Sequence, residues 1–193
     1  MNKIDSNGNK LSAAQLEYFK NTKVLDESGN LLIVYHGSPE DNLTGFDKGT
    51  IGNRGGKSNL HLGSGFYFTS YESDASFYGN VYAFYLNITN PYNISTNGFN
   101  DWQDEFVLNF KQQLIKDFNL VEYENNIAGL VGDEIQNTLI KNGYDGIIYG
   151  PKYIVAFEPE QIKSIGNKKP TSHNNVNEAL VEMTIQNLLN ECE

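Results

Sequence analysis

His36, Tyr67 and Tyr78 are the residues of this 193-residue chain whose types and order suggest chemistry. His36 opens the tripeptide His36-Gly37-Ser38 behind the apolar run Leu31-Leu32-Ile33-Val34-Tyr35, Tyr67 stands in Gly65-Phe66-Tyr67-Phe68, and Tyr78 follows eleven positions later. Taken singly, a histidine at a strand end is usually a hydrogen-bonded structural residue, and a tyrosine a core aromatic whose hydroxyl finds a partner. Order and spacing carry the signal. Other chemistries lack their parts. Ser38 has no His/Asp partner set for nucleophilic catalysis. The three histidines, His36, His61 and His173, share no metal-ligand spacing, and a single cysteine, Cys192, leaves zinc without its usual thiolates. Gly63-Ser64-Gly65 is too short for a phosphate-cradling loop and has no lysine.

The elements that must hold these residues follow from pattern. Ser12 is placed to cap a helix over 12–20, with Gln15 reaching back to the cap and Leu11 stapled to Leu16. A turn at 26–30 leads into a buried strand over 31–35, which delivers His36-Gly37-Ser38 at its end. Residues 41–63 are rich in Gly, Asn, Lys and Ser, and read as a mobile surface loop with few packed side chains. A short strand covers 66–68. Ser70 is placed to cap a helix that Gly79 ends, and a third strand over 81–88 stops at Asn90-Pro91. Apolar residues at Trp102, Phe106, Phe110, Leu114 and Phe118 predict an amphipathic helix over 101–118, and a second helix covers 132–142 before Gly143. Strands over 146–149 and 153–157 complete the core. Strands outnumber βαβ crossovers, so the expected fold is α+β: a mixed or antiparallel sheet flanked by helices.

Composition narrows the setting. Fourteen Lys/Arg against 24 Asp/Glu give a net charge of −10, which opposes non-specific binding to a polyphosphate backbone. One cysteine allows no internal disulfide, in keeping with a reducing cytosol. No apolar run approaches the ~20 residues of a membrane span, and the N-terminus lacks a signal-peptide layout, so a cytoplasmic location without membrane contact is expected. The core domain is expected over 1–167, followed by a polar tail, 168–193. A helix over 176–189 in that tail is expected to dock on the domain or bind a partner.

Tyr35-His36-Gly37-Ser38, Gly65-Phe66-Tyr67-Phe68-Thr69 and Tyr78 resemble, in order and spacing, the His-Tyr-Glu ADP-ribosyltransferases of the diphtheria-toxin and poly(ADP-ribose) polymerase type. Lys23-Val24, Gly143-Tyr144-Asp145-Gly146-Ile147 and Phe157-Glu158-Pro159-Glu160-Gln161-Ile162-Lys163-Ser164 are similar to segments of ADP-ribosyltransferase domains in phage and prophage polyvalent proteins. The resemblance covers about residues 6–167. It implies a split β-sheet core, NAD as substrate, and transfer of a single ADP-ribose to a macromolecular acceptor in a phage- or toxin-associated setting. The acidic balance of the chain favours a protein or nucleoside acceptor over duplex DNA, and a protein over a nucleic acid.

Nicotinamide in NAD is a flat cation, which two tyrosine rings on separate elements can grip by stacking and cation–π attraction. Tyr67 and Tyr78 are the expected walls. Gly37, without a side chain, lets its backbone meet the carboxamide. Ser38 and Phe68 are expected to line the same NAD pocket. The resemblance implies that His36 hydrogen-bonds the adenosine ribose. Cleaving the nicotinamide–ribose bond passes through an oxocarbenium-like state, so negative charge is wanted near the ribose.

In the family a glutamate supplies that charge immediately before the tyrosine that opens the strand matching 153–157. Here the position is Lys152. An ammonium ~4 Å from the developing cation costs on the order of 4 kcal/mol at an effective dielectric of about 20, a slowing of about a thousandfold. Three accounts are open. A shift of register at 149–151 could turn Asp145, Glu158 or Glu160 to the ribose; the chain could be a weakened or inactive NAD-binding module; or Lys152 could point to solvent while the acceptor assists.

Overall fold

The computed structural model describes residues 1–52, 60–94, 104–150, 152–174 and 176–177. From residue 178 onward the expected terminal helix lies outside this set, as do Trp102 and the side chain of Phe106. In chain order the elements are α1 (Ala13–Tyr18), β1 (Val34–Ser38), β2 (Phe66–Thr69), α2 (Glu72–Ser76), β3 (Asn80–Leu86), β4 (Pro91–Ile94), α3 (Asp104–Asp117), α4 (Gly132–Lys141), β5 (Gly146–Tyr149), β6 (Tyr153–Ala156) and β7 (Ile162–Ser164), with short 3₁₀ turns between some of them. The strands form a seven-stranded sheet ordered β4-β5-β6-β2-β1-β3-β7. Its pairs are antiparallel except β4 with β5. Among the described residues no helix is long and apolar enough to cross a membrane.

Local chemistry explains most of these elements. Ser12 Oγ accepts the Gln15 N–H at 3.0 Å and Gln15 Oε1 accepts the Ser12 N–H at 2.9 Å, so two amides at the start of α1 are satisfied reciprocally. Leu11 and Leu16 join the cluster beneath α1, around Phe19, Leu31, Ile33 and Tyr85. Phe110 and Leu114 on α3, and Ile135 and Leu139 on α4, are buried against Ile147 and Val155 of the sheet and Phe157 just after β6. The opposite face buries Phe66, Phe68, Phe84, Leu86 and Ile154. One face of the sheet therefore carries α1 over one half and α3 with α4 over the other. Between them, over β1 and reaching its neighbours β3 and β2, lies α2.

Several expectations need correction. β1 begins at Val34 and takes in His36, Gly37 and Ser38, so these residues lie within the sheet rather than beyond a strand end. Leu31 instead makes isolated bridges to Leu25 and Asp5. Segment 41–52 has packed side chains after all: Leu43 and Phe46 are buried in the core. Ser70 is not the cap of α2. Tyr71 holds that position with no side-chain cap bond, since its phenol oxygen sits too far out on the ring to fold back onto the first free amides; its own N–H is donated to Thr69 Oγ1 at 3.1 Å. β4 and β7, absent from the pattern reading, are the two edges of the sheet. An edge is where Pro91 can start a strand, since its missing N–H need not serve a ladder on the open side.

Candidate active site

β1 and β2 are neighbours with one paired position between them, Tyr35 opposite Thr69, whereas β1 meets β3 through five, from Val34–Phe84 to Ser38–Asn80. Counting on from Tyr35 and Thr69 puts Gly37 across from Tyr67, where the ladder has opened. The His36 imidazole spans this seam. Its Nδ1–H donates to the Tyr67 carbonyl oxygen at 2.8 Å, and since a carbonyl can only accept, the bond fixes the proton on Nδ1. Phe46 and Phe68 hold the ring from the core side, with centroids 5.1 and 5.5 Å from it.

Side chains alternate across a strand, so Tyr67, Gly37 and Thr69 share the face opposite His36 and Phe68. Tyr67 packs half-buried against the α3/α4 cluster. Its hydroxyl donates to the Gly63 carbonyl at 2.8 Å and accepts the Leu62 N–H at 3.1 Å, which pins the phenol at its far end. Burial pushes the Tyr67 phenol well above its ordinary pKa, outweighing the opposite pull of the Leu62 N–H. It stays neutral at physiological pH.

Gly37 is needed where it is. A Cβ there would stand 1.9 Å from the Ala75 carbonyl oxygen and 2.8 Å from the Tyr78 Cβ. The end of α2 thus rests directly on Gly37 and carries Tyr78 above it. Gly79, at φ 122°, then turns the chain into β3, in a conformation that L side chains rarely adopt. The Tyr78 residue is 72% exposed. Tyr67 and Tyr78 accordingly flank the open seam on one face, one from β2 and one from above β1.

Phe68 and Ser38, expected to line the pocket, lie on the His36 face of their strands. Phe68 is buried among Phe46 and Phe84 on the other face, so it reaches the seam only through the His36 ring. Ser38 is buried and its Oγ accepts the Glu40 N–H at 3.3 Å.

Lys152 precedes β6 as its spacing implied, and no register shift moves it: Tyr149 pairs with Tyr153 and Ile148 with Ile154. Nor does it simply point to solvent. Its Nζ lies 3.2 Å from Asp74 Oδ2 and 4.9 Å from the centre of the Tyr153 ring. The Tyr153 hydroxyl and then the Asp74 carboxylate push the ammonium above the ordinary lysine value, against the opposing effect of partial burial. Two of the acids considered as replacements are engaged elsewhere. Asp145 accepts the Thr89 and Asn90 N–H groups at 2.7 and 2.8 Å, and Glu158 pairs with Lys48 at 2.5 Å. Glu160 lies in the 3₁₀ turn Pro159–Gln161, past the end of β6 that is remote from Lys152.

Phe46, against the His36 ring, and Asp74, against Lys152, are neighbours that the sequence pattern did not single out. Phe46 hides in a polar, Gly-rich stretch. Asp74 had a signal: a cation at position 152 calls for a nearby anion, and Glu72 and Asp74 are the acids between the two tyrosines.

A mixed seven-stranded sheet flanked by helices is an α+β fold of the kind that ADP-ribosyltransferase domains have. The family model described as ADP-ribosyltransferase in polyvalent proteins matches residues 26–172, and the chain belongs to that family. No curated protein and no solved structure matches it.

Proposed function

We propose that this chain is an NAD-dependent mono-ADP-ribosyltransferase that works in the cytosol, in a phage- or toxin-associated setting, on a macromolecular acceptor, protein rather than nucleic acid. The observation that carries the reading is the open seam: His36 Nδ1–H on the Tyr67 carbonyl at 2.8 Å, with Tyr67 on one side and Tyr78, seated on Gly37, on the other. In this reading the nicotinamide enters between the two phenols, which attract its positive ring. The backbone of Gly37 meets the carboxamide, and His36 faces the adenosine ribose. Tyr67 keeps its ring orientation because Leu62 and Gly63 hold its hydroxyl. Holding the dinucleotide bent exposes the anomeric carbon to an acceptor.

A second reading, favoured by Lys152, is an NAD-binding module with weakened or absent turnover. Incubation with biotinylated NAD and a host lysate separates the two. Transferase action predicts label on protein and its loss in Tyr67→Ala. Unlabelled lysate with intact NAD, alongside NAD binding by calorimetry, would favour the binding module.

A further inference from the structure

We propose that Asp74 is the carboxylate this chain brings to the ribose side of the seam, in place of the acid that position 152 lacks. The inference rests on the ADP-ribosyltransferase reading above and adds a residue to it. Asp74 sits on α2 one residue before Ala75, whose carbonyl fills the place of a Gly37 Cβ, so its backbone lies over the same part of β1. Its carboxylate reaches to the start of β6, with Oδ2 3.2 Å from Lys152 Nζ and 3.4 Å from the Tyr153 hydroxyl. Tyr153 stands two residues along β6 from Val155, the partner of Tyr67, and therefore shares its face. Asp74 is thus held on the face that carries both tyrosines.

Both contacts fall on Oδ2. Oδ1 of Asp74 has no partner among the described residues, and the side chain is 28% exposed, which leaves that oxygen open to a ligand in the seam. With Asp145 and Glu158 engaged elsewhere, Asp74 is the acid best placed to oppose a developing positive charge.

The step balances as follows. The bond from the anomeric carbon to the nicotinamide nitrogen breaks, and its electron pair neutralises the pyridinium. The ribosyl cation, faced by Asp74, takes an electron pair from an oxygen or nitrogen nucleophile X–H of the acceptor. The X–H proton passes to Asp74 and then to solvent, giving ADP-ribosyl–X and nicotinamide. Water in place of the acceptor gives hydrolysis.

The test uses the full chain with NAD, reading affinity by calorimetry and nicotinamide release by chromatography. Asp74→Asn is expected to slow release at least a hundredfold while NAD affinity stays within about threefold and the melting temperature hardly moves, since the ion pair is partly exposed. The double variant Asp74→Asn/Lys152→Met decides the role: it stays slow if Asp74 faces the reaction, and regains the wild-type rate if Asp74 merely neutralises Lys152. Recovery in the double variant overturns the proposal. Wild-type protein that binds NAD but releases no nicotinamide also overturns it while leaving NAD binding intact, whereas failure to bind NAD removes the underlying reading itself.

Discussion

Replacing Gly37 with alanine sets a methyl carbon 1.9 Å from the Ala75 carbonyl oxygen and 2.8 Å from the Tyr78 Cβ, where ordinary contact begins at 3.4 Å. The shortfall against the carbonyl is 3.4 − 1.9, or 1.5 Å, and it falls on backbone that no side-chain rotation can move. Either α2 lifts off β1 by that much or β1 bends away from β3, to which it is paired through five positions. Overpacking of this kind costs about 1–3 kcal/mol. In a chain of this length each 1 kcal/mol lowers the melting temperature by about 2–4 °C, so a fall of roughly 2–12 °C is expected. Because α2 carries Tyr78, NAD affinity drops as well, by at least the roughly tenfold that one aromatic face contributes. Thermal melts and calorimetry on Gly37→Ala measure both. Gly45→Ala is the control, since its nearest neighbour to a Cβ is 3.7 Å away. Gly37→Ala with the melting temperature and affinity of the control would refute the seating of α2 on β1.

The remaining predictions concern ionisation and the acids. Burial pushes the phenols of Tyr67, Tyr85 and Tyr92 above their ordinary value of 10.0, in the last two with the help of Asp5 and Asp117. Above pH 10 the unfolded chain therefore loses protons that the folded chain keeps; the stability from these three groups is complete below that pH and lost as pH rises through the folded values. Urea denaturation between pH 8 and 12 should show that fall, and ultraviolet titration should show fewer than the 12 tyrosines ionising before the protein unfolds. Asp145→Asn should cost about 1–2 kcal/mol, because charge-assisted bonds from Thr89 and Asn90 are weakened, yet leave nicotinamide release unchanged. A large loss of release in Asp145→Asn, with the fold intact, would put that acid at the site instead.

Much of the arrangement was legible because local chemistry and periodicity agree. Ser12 with Gln15, Phe110 with Leu114, and the apolar runs of β3, β5 and β6 each satisfy a rule that acts over a few residues. The elements that escaped are those whose partners are distant. β7 has three residues, too few to show a period, and pairs with β3 some eighty positions earlier, as Tyr85 does with Lys163. Phe46 is recruited to the core from a segment whose polar composition concealed it. At the site, the ordered His36, Tyr67 and Tyr78 pointed to one seam because strand connectivity brings them there. The fate of Lys152 was not readable, since its partner Asp74 lies 78 positions away on a helix, and strand parity says nothing about a neighbour on another element. Gly37 was read for what a backbone can offer a ligand, while its contact with Ala75 and Tyr78 depends on a helix packed from outside the strand.

The grip on nicotinamide is tested most directly through Tyr78, which is 72% exposed and so can be removed with little effect on the fold. Calorimetric titration with NAD is predicted to give measurable binding by the wild-type chain and about tenfold weaker binding by Tyr78→Ala at an unchanged melting temperature. Equal affinity in the two proteins, or no binding by either, would contradict the account.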